Sequence, residues 1–372
     1  MAMLTGVTEI GQDGLIEMMD HSILHGTNLM TFGPAGIGKT EIAIQRVARA
    51  GMNHIYLNLS VLEAPDLLGL PRTTEKGKTT YALPEKFPVL GEGDPMILIV
   101  DELDKARPEL QNPMLELFQF RSINGMKLNI RGVLATGNLP DENAFSQPVS
   151  HALMNRCSVF KTICAFDPWR DWAVENNVNP LITAFLSRNS DLLLQPPPDG
   201  DDTAYCHGSP RSWTLAAKDI DFAPNKSVDF HTLLVAGRVG QGSAAKFRVW
   251  LDHYRHIQPH IDALANHGTH PSNDVLSDLE RKFVFGVSGA NEIVRAAQRG
   301  DAAKGEKEKA EARARVERVT NNVMGWMGTI PSEYTIGAMK SVLTMEMITK
   351  YQLVDNPKFM MVFTRIRKAW NK

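Results

Sequence analysis

Residues 33–40 read Gly33-Pro34-Ala35-Gly36-Ile37-Gly38-Lys39-Thr40, a complete match to G-x-x-x-x-G-K-[ST]. The apolar run Asn28-Leu29-Met30-Thr31-Phe32 precedes it, and Glu41 to Ala50 follows with helical patterning. Strand, glycine loop and helix are the context this motif requires. Glycines let backbone N–H groups turn inward toward a phosphate, and the helix start adds its positive dipole end. Lys39 then reaches the β- and γ-phosphates, and the Thr40 hydroxyl is a ligand for Mg²⁺. The stretch predicts a nucleoside triphosphate site contributed by Gly33, Pro34, Ala35, Gly36, Ile37, Gly38, Lys39 and Thr40.

A second apolar run, Ile97-Leu98-Ile99-Val100, ends in Asp101-Glu102, about 60 residues after the loop. Such a strand delivers two carboxylates to the C-terminal edge of a parallel sheet, where ligands bind. Asp101 is expected to hold Mg²⁺ through its water shell, and Glu102 to orient the water that attacks the γ-phosphate. Neither the loop lysine nor a metal supplies a water-positioning group, so Glu102 points to hydrolysis rather than binding alone. Leu134-Ala135-Thr136-Gly137-Asn138 is a third buried strand presenting an amide at its end. Asn138 is a candidate partner for the lytic water or the γ-phosphate. Arg156, before the last strand, and Arg211, after Gly208-Ser209-Pro210, can neutralise charge on a transferring phosphoryl group.

The chain has 372 residues, enough for two or three units. A hydrophobic fraction of 43% and a formal net charge of −2 are ordinary, and nothing global attracts it to nucleic acid or an anionic membrane. Cys157, Cys164 and Cys206 form neither a C-x-x-C pair nor an even disulfide set, and the acidic start lacks signal-peptide character. No apolar run approaches the roughly 20 residues that span a bilayer. A cytoplasmic setting is expected.

Strands are expected at 28–32, 54–59, 96–100, 133–136 and 159–162, and helices at 14–26, 41–50, 108–120 and 148–155. Residues 60–93 look irregular, with half a hairpin at 78–83, and Asn124-Gly125 signals a second hairpin. Strands alternating with helices mean a parallel sheet covered on both faces, an α/β domain over residues 1–165. Residues 166–222 read as a smaller helical domain, interrupted by a loop at 196–202. Residues 223–372 read as a mostly helical region. Within it 301–318 is charged nearly all round, a solvated helix or connector. Phe359, Val362, Phe363, Ile366 and Trp370 share one face of a last helix, which docks on its own domain, a partner or a membrane surface.

The order of these features resembles the AAA+ ATPases, and more closely their MoxR branch. Asp66-Leu67-Leu68-Gly69, Asp101-Glu102-Leu103-Asp104-Lys105-Ala106, Gln111 to Phe118, the Gly125 hairpin and Pro210-Arg211-Ser212-Trp213 carry the likeness, over about residues 10–222. It implies ATP as nucleotide, with Lys39 and Thr40 as the Walker A pair and Asp101 and Glu102 as the Walker B pair. Asn138 becomes sensor 1, Arg211 the sensor 2 of a helical lid, and Arg156 an arginine finger acting on a neighbouring subunit. A homo-oligomer, usually a hexameric ring, follows, as does a chaperone-like remodeller working with a protein that carries a von Willebrand A domain. A nucleic-acid motor with the same engine is the alternative. Lys76, Lys78, Arg121, Lys127 and Arg131 near the two hairpins favour it, while the net charge and the lack of a basic aromatic stripe weigh against it. A nucleotide-gated module that hardly turns over is a third class, opposed by Glu102 and Arg156.

Overall fold

A computed structural model of the chain describes residues 6–139, 147–195, 206–301, 303 and 305–370. It divides into two compact units, Met1–Ala165 and Phe166–Lys372.

In chain order the first unit contains β1 (Thr8–Ile10), α1 (Gln12–His25), β2 (Asn28–Phe32), α2 (Lys39–Arg49), β3 (His54–Asn58) and α3 (Ala64–Leu68). There follow β4 (Leu70–Thr73), β5 (Thr79–Ala82), β6 (Met96–Asp101), α4 (Pro108–Phe120), β7 (Ser122–Ile123), β8 (Met126–Lys127), β9 (Ile130–Gly137), α5 (His151–Met154) and β10 (Ser158–Thr162). Six strands form one sheet in the order β1-β10-β2-β9-β6-β3, and every neighbouring pair is parallel. The remaining strands make two antiparallel hairpins, β4–β5 and β7–β8.

Alternation along the strands explains the two covered faces. Ile97 and Ile99 of β6 pack with Leu15, Met19 and Ile23 of α1 and Ala43 and Val47 of α2. Leu98 and Val100 point the other way, into a core with Leu110, Met114, Leu117 and Phe118 of α4. All four β6 side chains are wholly buried, each contributing roughly 1.5–3 kcal/mol. A continuous apolar run suits a strand buried on both sides.

Several elements depart from the sequence expectation. β1 is a three-residue edge strand without an apolar run, and it was not expected. β9 begins three residues before the predicted 133–136, because Gly132 and Arg131 interrupt its apolar pattern where the β6–β9 register shifts. Segment 60–93 is more ordered than predicted. α3 is closed by a capping box between Glu63 and Asp66, and both strands of the hairpin form. Gly69 joins α3 to β4 at φ 77°, where a Cβ would stand 2.1 Å from the Ala82 carbonyl oxygen. α5 is shorter than predicted and starts at the Ser150 cap.

The second unit is helical throughout its described residues: α6 (Phe166–Glu175), α7 (Pro180–Arg188), α8 (Pro210–Asp221), α9 (Val228–Val239), α10 (Gln241–His267), α11 (Leu279–Asp301), α12 (Glu306–Met327), α13 (Ser332–Lys340), α14 (Met345–Lys350) and α15 (Pro357–Trp370). The predicted loop at 196–202 lies outside the described residues. The helices before residue 222 share a core with those after it. Phe185 of α7 meets Trp213 of α8 at 5.6 Å between ring centroids, and Phe247 and Trp250 of α10 at 5.3 and 6.1 Å. The first half of α12 is charged and mostly exposed, while Val319, Val323, Met324 and Met327 of its second half are buried. On α15, Phe359, Val362, Phe363 and Ile366 are buried too, so that face docks within its own unit.

Candidate functional site

β2 hands the chain directly to the glycine loop. Gly33 has no room for a side chain, since a Cβ would lie 2.5 Å from the Thr162 carbonyl oxygen and 3.1 Å from Ile37 Cδ1. Gly36 and Gly38 sit at φ 78° and 96°, a left-handed conformation that glycine adopts without penalty. α2 begins at Lys39, so its first amides and positive dipole end adjoin the loop. Buried Gln12 of α1 donates from Nε2 to the Ile37 carbonyl at 2.9 Å and ties the loop to that helix.

Around this loop the sheet gathers its polar strand ends. Lys39 is buried, and its Nζ donates to the carbonyls of Gly33 (2.6 Å) and Pro34 (2.8 Å) and to Asn138 Oδ1 (3.2 Å). The Thr40 hydroxyl donates to Asp101 Oδ1 at 2.9 Å. Asp101 closes β6, and Asn138 directly follows β9, so both lie at the C-terminal edge of the sheet. Lys39, Thr40, Asp101 and Asn138 therefore form one cluster at the loop.

Glu102 sits beside it in an unusual backbone state, φ 54° and ψ 43°. A left-handed non-glycine residue costs on the order of 1–2 kcal/mol, and such residues concentrate at functional sites. Its carboxylate pairs with Lys105 Nζ at 3.0 Å. Thr40 and Asp101 are hard oxygen donors 2.9 Å apart. Mg²⁺ is commonly bound by one or two such protein groups plus substrate phosphates, so the donor set fits that ion. No cluster of three or more His, Cys, Asp or Glu side chains suited to a metal occurs among the described residues.

Arg156 lies at the opposite edge of the sheet from the loop. Asn28, at the start of β2, donates to its carbonyl at 2.8 Å, whereas the glycine loop begins after the far end of that strand. The exposed guanidinium donates from Nε and Nη2 to Gln119 Oε1, at 3.0 and 2.7 Å, and from Nη1 to the Ala152 carbonyl at 2.5 Å. Arg211 is exposed at the start of α8 in the second unit. Of the five basic residues near the hairpins, Arg121 donates to Asn28 Oδ1 at 2.6 Å and Arg131 to the Ile23 carbonyl at 2.9 Å. Lys127 donates to the Phe120 carbonyl at 2.8 Å, and Lys76 and Lys78 are exposed.

Four site residues escaped the sequence reading. Thr136 and Tyr56 both bond Asp101, Lys105 pairs with Glu102, and buried Asp104 accepts the Asn138 N–H at 2.8 Å. Only Asp104 and Lys105 carried a signal, since they continue the Asp101-Glu102 motif.

No family model matches this chain, and no curated protein does. Among solved structures it is similar to NtrX from Brucella abortus, at 14% identity and a TM-score of 0.33, over 90% of this chain and 68% of that one. An ADP complex of NtrX gives 15% identity and a TM-score of 0.33, over 96% and 67%. A mutant of Thermotoga maritima RuvB gives 14% and 0.36, over 72% of this chain and 85% of that one. The sheet order and the strand–loop–helix unit by themselves define an α/β P-loop fold, joined to a helical C-terminal region.

Proposed function

We propose that this chain is a magnesium-dependent ATPase of the AAA+ kind, with the pattern of the MoxR branch. It assembles into a ring and couples hydrolysis to remodelling of a protein partner. The observation that carries the reading is the cluster in which Lys39 meets Asn138 and Thr40 meets Asp101 beside the glycine loop. Thr40 and Asp101 would hold Mg²⁺, which neutralises charge on the β- and γ-phosphates. Lys39 already spans three oxygen acceptors and exchanges them for phosphate oxygens when nucleotide enters. Glu102, released from Lys105, orients the attacking water, and Asn138 holds it or the γ-phosphate. Arg156 lies at the opposite end of β2 from its own loop, which suits action on a neighbour's nucleotide. The choice of ATP, the lid formed by 166–222, the sensor 2 role of Arg211 and a von Willebrand A domain partner rest on the resemblance alone.

A nucleic-acid motor is less supported, because Arg121, Lys127 and Arg131 are engaged with acceptors on their own chain. Equilibrium titration with fluorescent ATP, in parallel with gel filtration, tests the proposal. Wild type should bind Mg·ATP and elute as an oligomer, and Lys39→Ala should lose the binding. Undiminished affinity in Lys39→Ala refutes the site.

A further inference from the structure

Asp101 is held by more than the loop. Its Oδ1 accepts from Thr40 Oγ1 (2.9 Å), from the Glu102 N–H (2.9 Å) and from Thr136 Oγ1 (2.5 Å). Its Oδ2 accepts from the Tyr56 hydroxyl at 2.8 Å. Two strands bring these groups in from either side of β6. The register Val100↔Ala135 sets Thr136 of β9 beside Asp101, and Asn58↔Asp101 brings β3 alongside, with Tyr56 two residues back.

Thr136 is informative because of where it lies. It is wholly buried and follows the buried run Val133, Leu134 and Ala135. Valine has nearly the same shape and would suit such a strand, whereas a buried hydroxyl needs a hydrogen-bond partner. The acceptor it donates to is Asp101. Tyr56 is different, since its ring is partly exposed on a strand at the edge of the sheet, yet its hydroxyl is directed at the same carboxylate. With Thr136 donating to Oδ1 and Tyr56 to Oδ2, a side-chain donor on each oxygen fixes rotation of the carboxyl group about its Cβ–Cγ bond. Thr40 cannot supply that constraint alone, because its oxygen is itself a candidate metal ligand.

We propose that Thr136 and Tyr56 are positioning residues that lock the Asp101 carboxylate for Mg²⁺, a reading that rests on the nucleotide site proposed above. Groups that orient a metal's ligands typically change metal affinity or activity by 10–100-fold when removed. Thr136→Val and Tyr56→Phe each delete one hydroxyl and keep the packing, and Thr136→Ser keeps the hydroxyl. The test titrates Mg²⁺ into each protein with mant-ATP and reads half-saturation of the bound fluorescence, alongside a melting curve without nucleotide. Thr136→Val and Tyr56→Phe should need at least about tenfold more Mg²⁺, with the nucleotide-free melting points close to wild type, and Thr136→Ser should restore the requirement. Half-saturation within about twofold of wild type in both hydroxyl-deleting variants overturns the inference. If Thr136→Val does not fold, Tyr56→Phe decides by the same criterion. Wild type that binds mant-ATP no better than Lys39→Ala would overturn the nucleotide site itself, and this inference with it.

Discussion

Replacing Gly33 with alanine is the sharpest test of how the loop is seated. The added Cβ would lie 2.5 Å from the Thr162 carbonyl oxygen, at the end of β10, and 3.1 Å from Ile37 Cδ1. Neither the end of a sheet strand nor the loop entrance can yield cheaply, because Gly33 N–H also donates to the Gly137 carbonyl at 3.3 Å. Overpacking of this kind costs about 1–3 kcal/mol. At roughly 2–4 °C per kcal/mol for units of this size, the melting point should fall by about 2–12 °C. A displacement approaching 1 Å at the loop should also weaken productive nucleotide engagement, by up to about 10²-fold. Gly77→Ala is the control. It sits at φ 67° and its added Cβ would meet nothing within 4 Å, so it costs on the order of 1–2 kcal/mol through backbone strain alone and leaves nucleotide binding intact. Calorimetry and nucleotide titration on both variants separate the effects. Gly33→Ala that melts within about 1 °C of wild type and binds nucleotide equally well would refute the close seating of the loop against β10.

Other outcomes follow from the same geometry. Arg156→Ala should lower turnover by about 10³-fold or more while nucleotide affinity holds, and mixing it with Lys39→Ala should restore part of the activity; a mixture without recovery contradicts action across subunits. Phe359→Ala should destabilise the second unit by about 3–5 kcal/mol, read by urea denaturation, because that ring is wholly buried and stacks on Phe363 at 5.7 Å. Burial pushes the Cys157 thiol up to about 12 and the Cys164 thiol to about 11, from an ordinary 9.0. Both therefore keep their protons in the folded chain above pH 9, where the unfolded chain loses them. Stability from these two thiols is full below pH 9 and declines as pH climbs toward 11 and 12. At pH 8 iodoacetamide should modify exposed Cys206 well before Cys157 or Cys164, as mass spectrometry of labelled peptides will report.

Legibility in the sequence followed the strength of local signals. Asn28–Phe32 and Pro108–Phe120 form over the residues their patterns predicted, because a short, mostly apolar run leading into the glycine loop and a proline-started helical period each have one reading. β1 stayed hidden because Thr8, Glu9 and Ile10 bury too little to leave a pattern. The division at residue 222 rests on helical patterning along the chain, whereas the packing of Phe185 with Trp213, Phe247 and Trp250 appears only in three dimensions. At the site, the glycine loop and Asp101-Glu102 announce themselves by motif. Thr136 and Tyr56 do not, since a threonine and a tyrosine are ordinary strand residues until the register sets them around one carboxylate. Arg156 was visible as a residue, but its hold on Gln119 and its distance from its own loop were not.

In the proposed mechanism this site hydrolyses a triphosphate, and Glu102 orients the water. Phosphate release from Mg·ATP by purified wild type and Glu102→Gln, with binding of mant-ATP measured on the same samples, tests it most directly. Glu102→Gln should bind nucleotide as wild type does and turn over about 10²–10⁴-fold more slowly. Equal phosphate release by the two proteins, with binding intact in both, would contradict that role for Glu102.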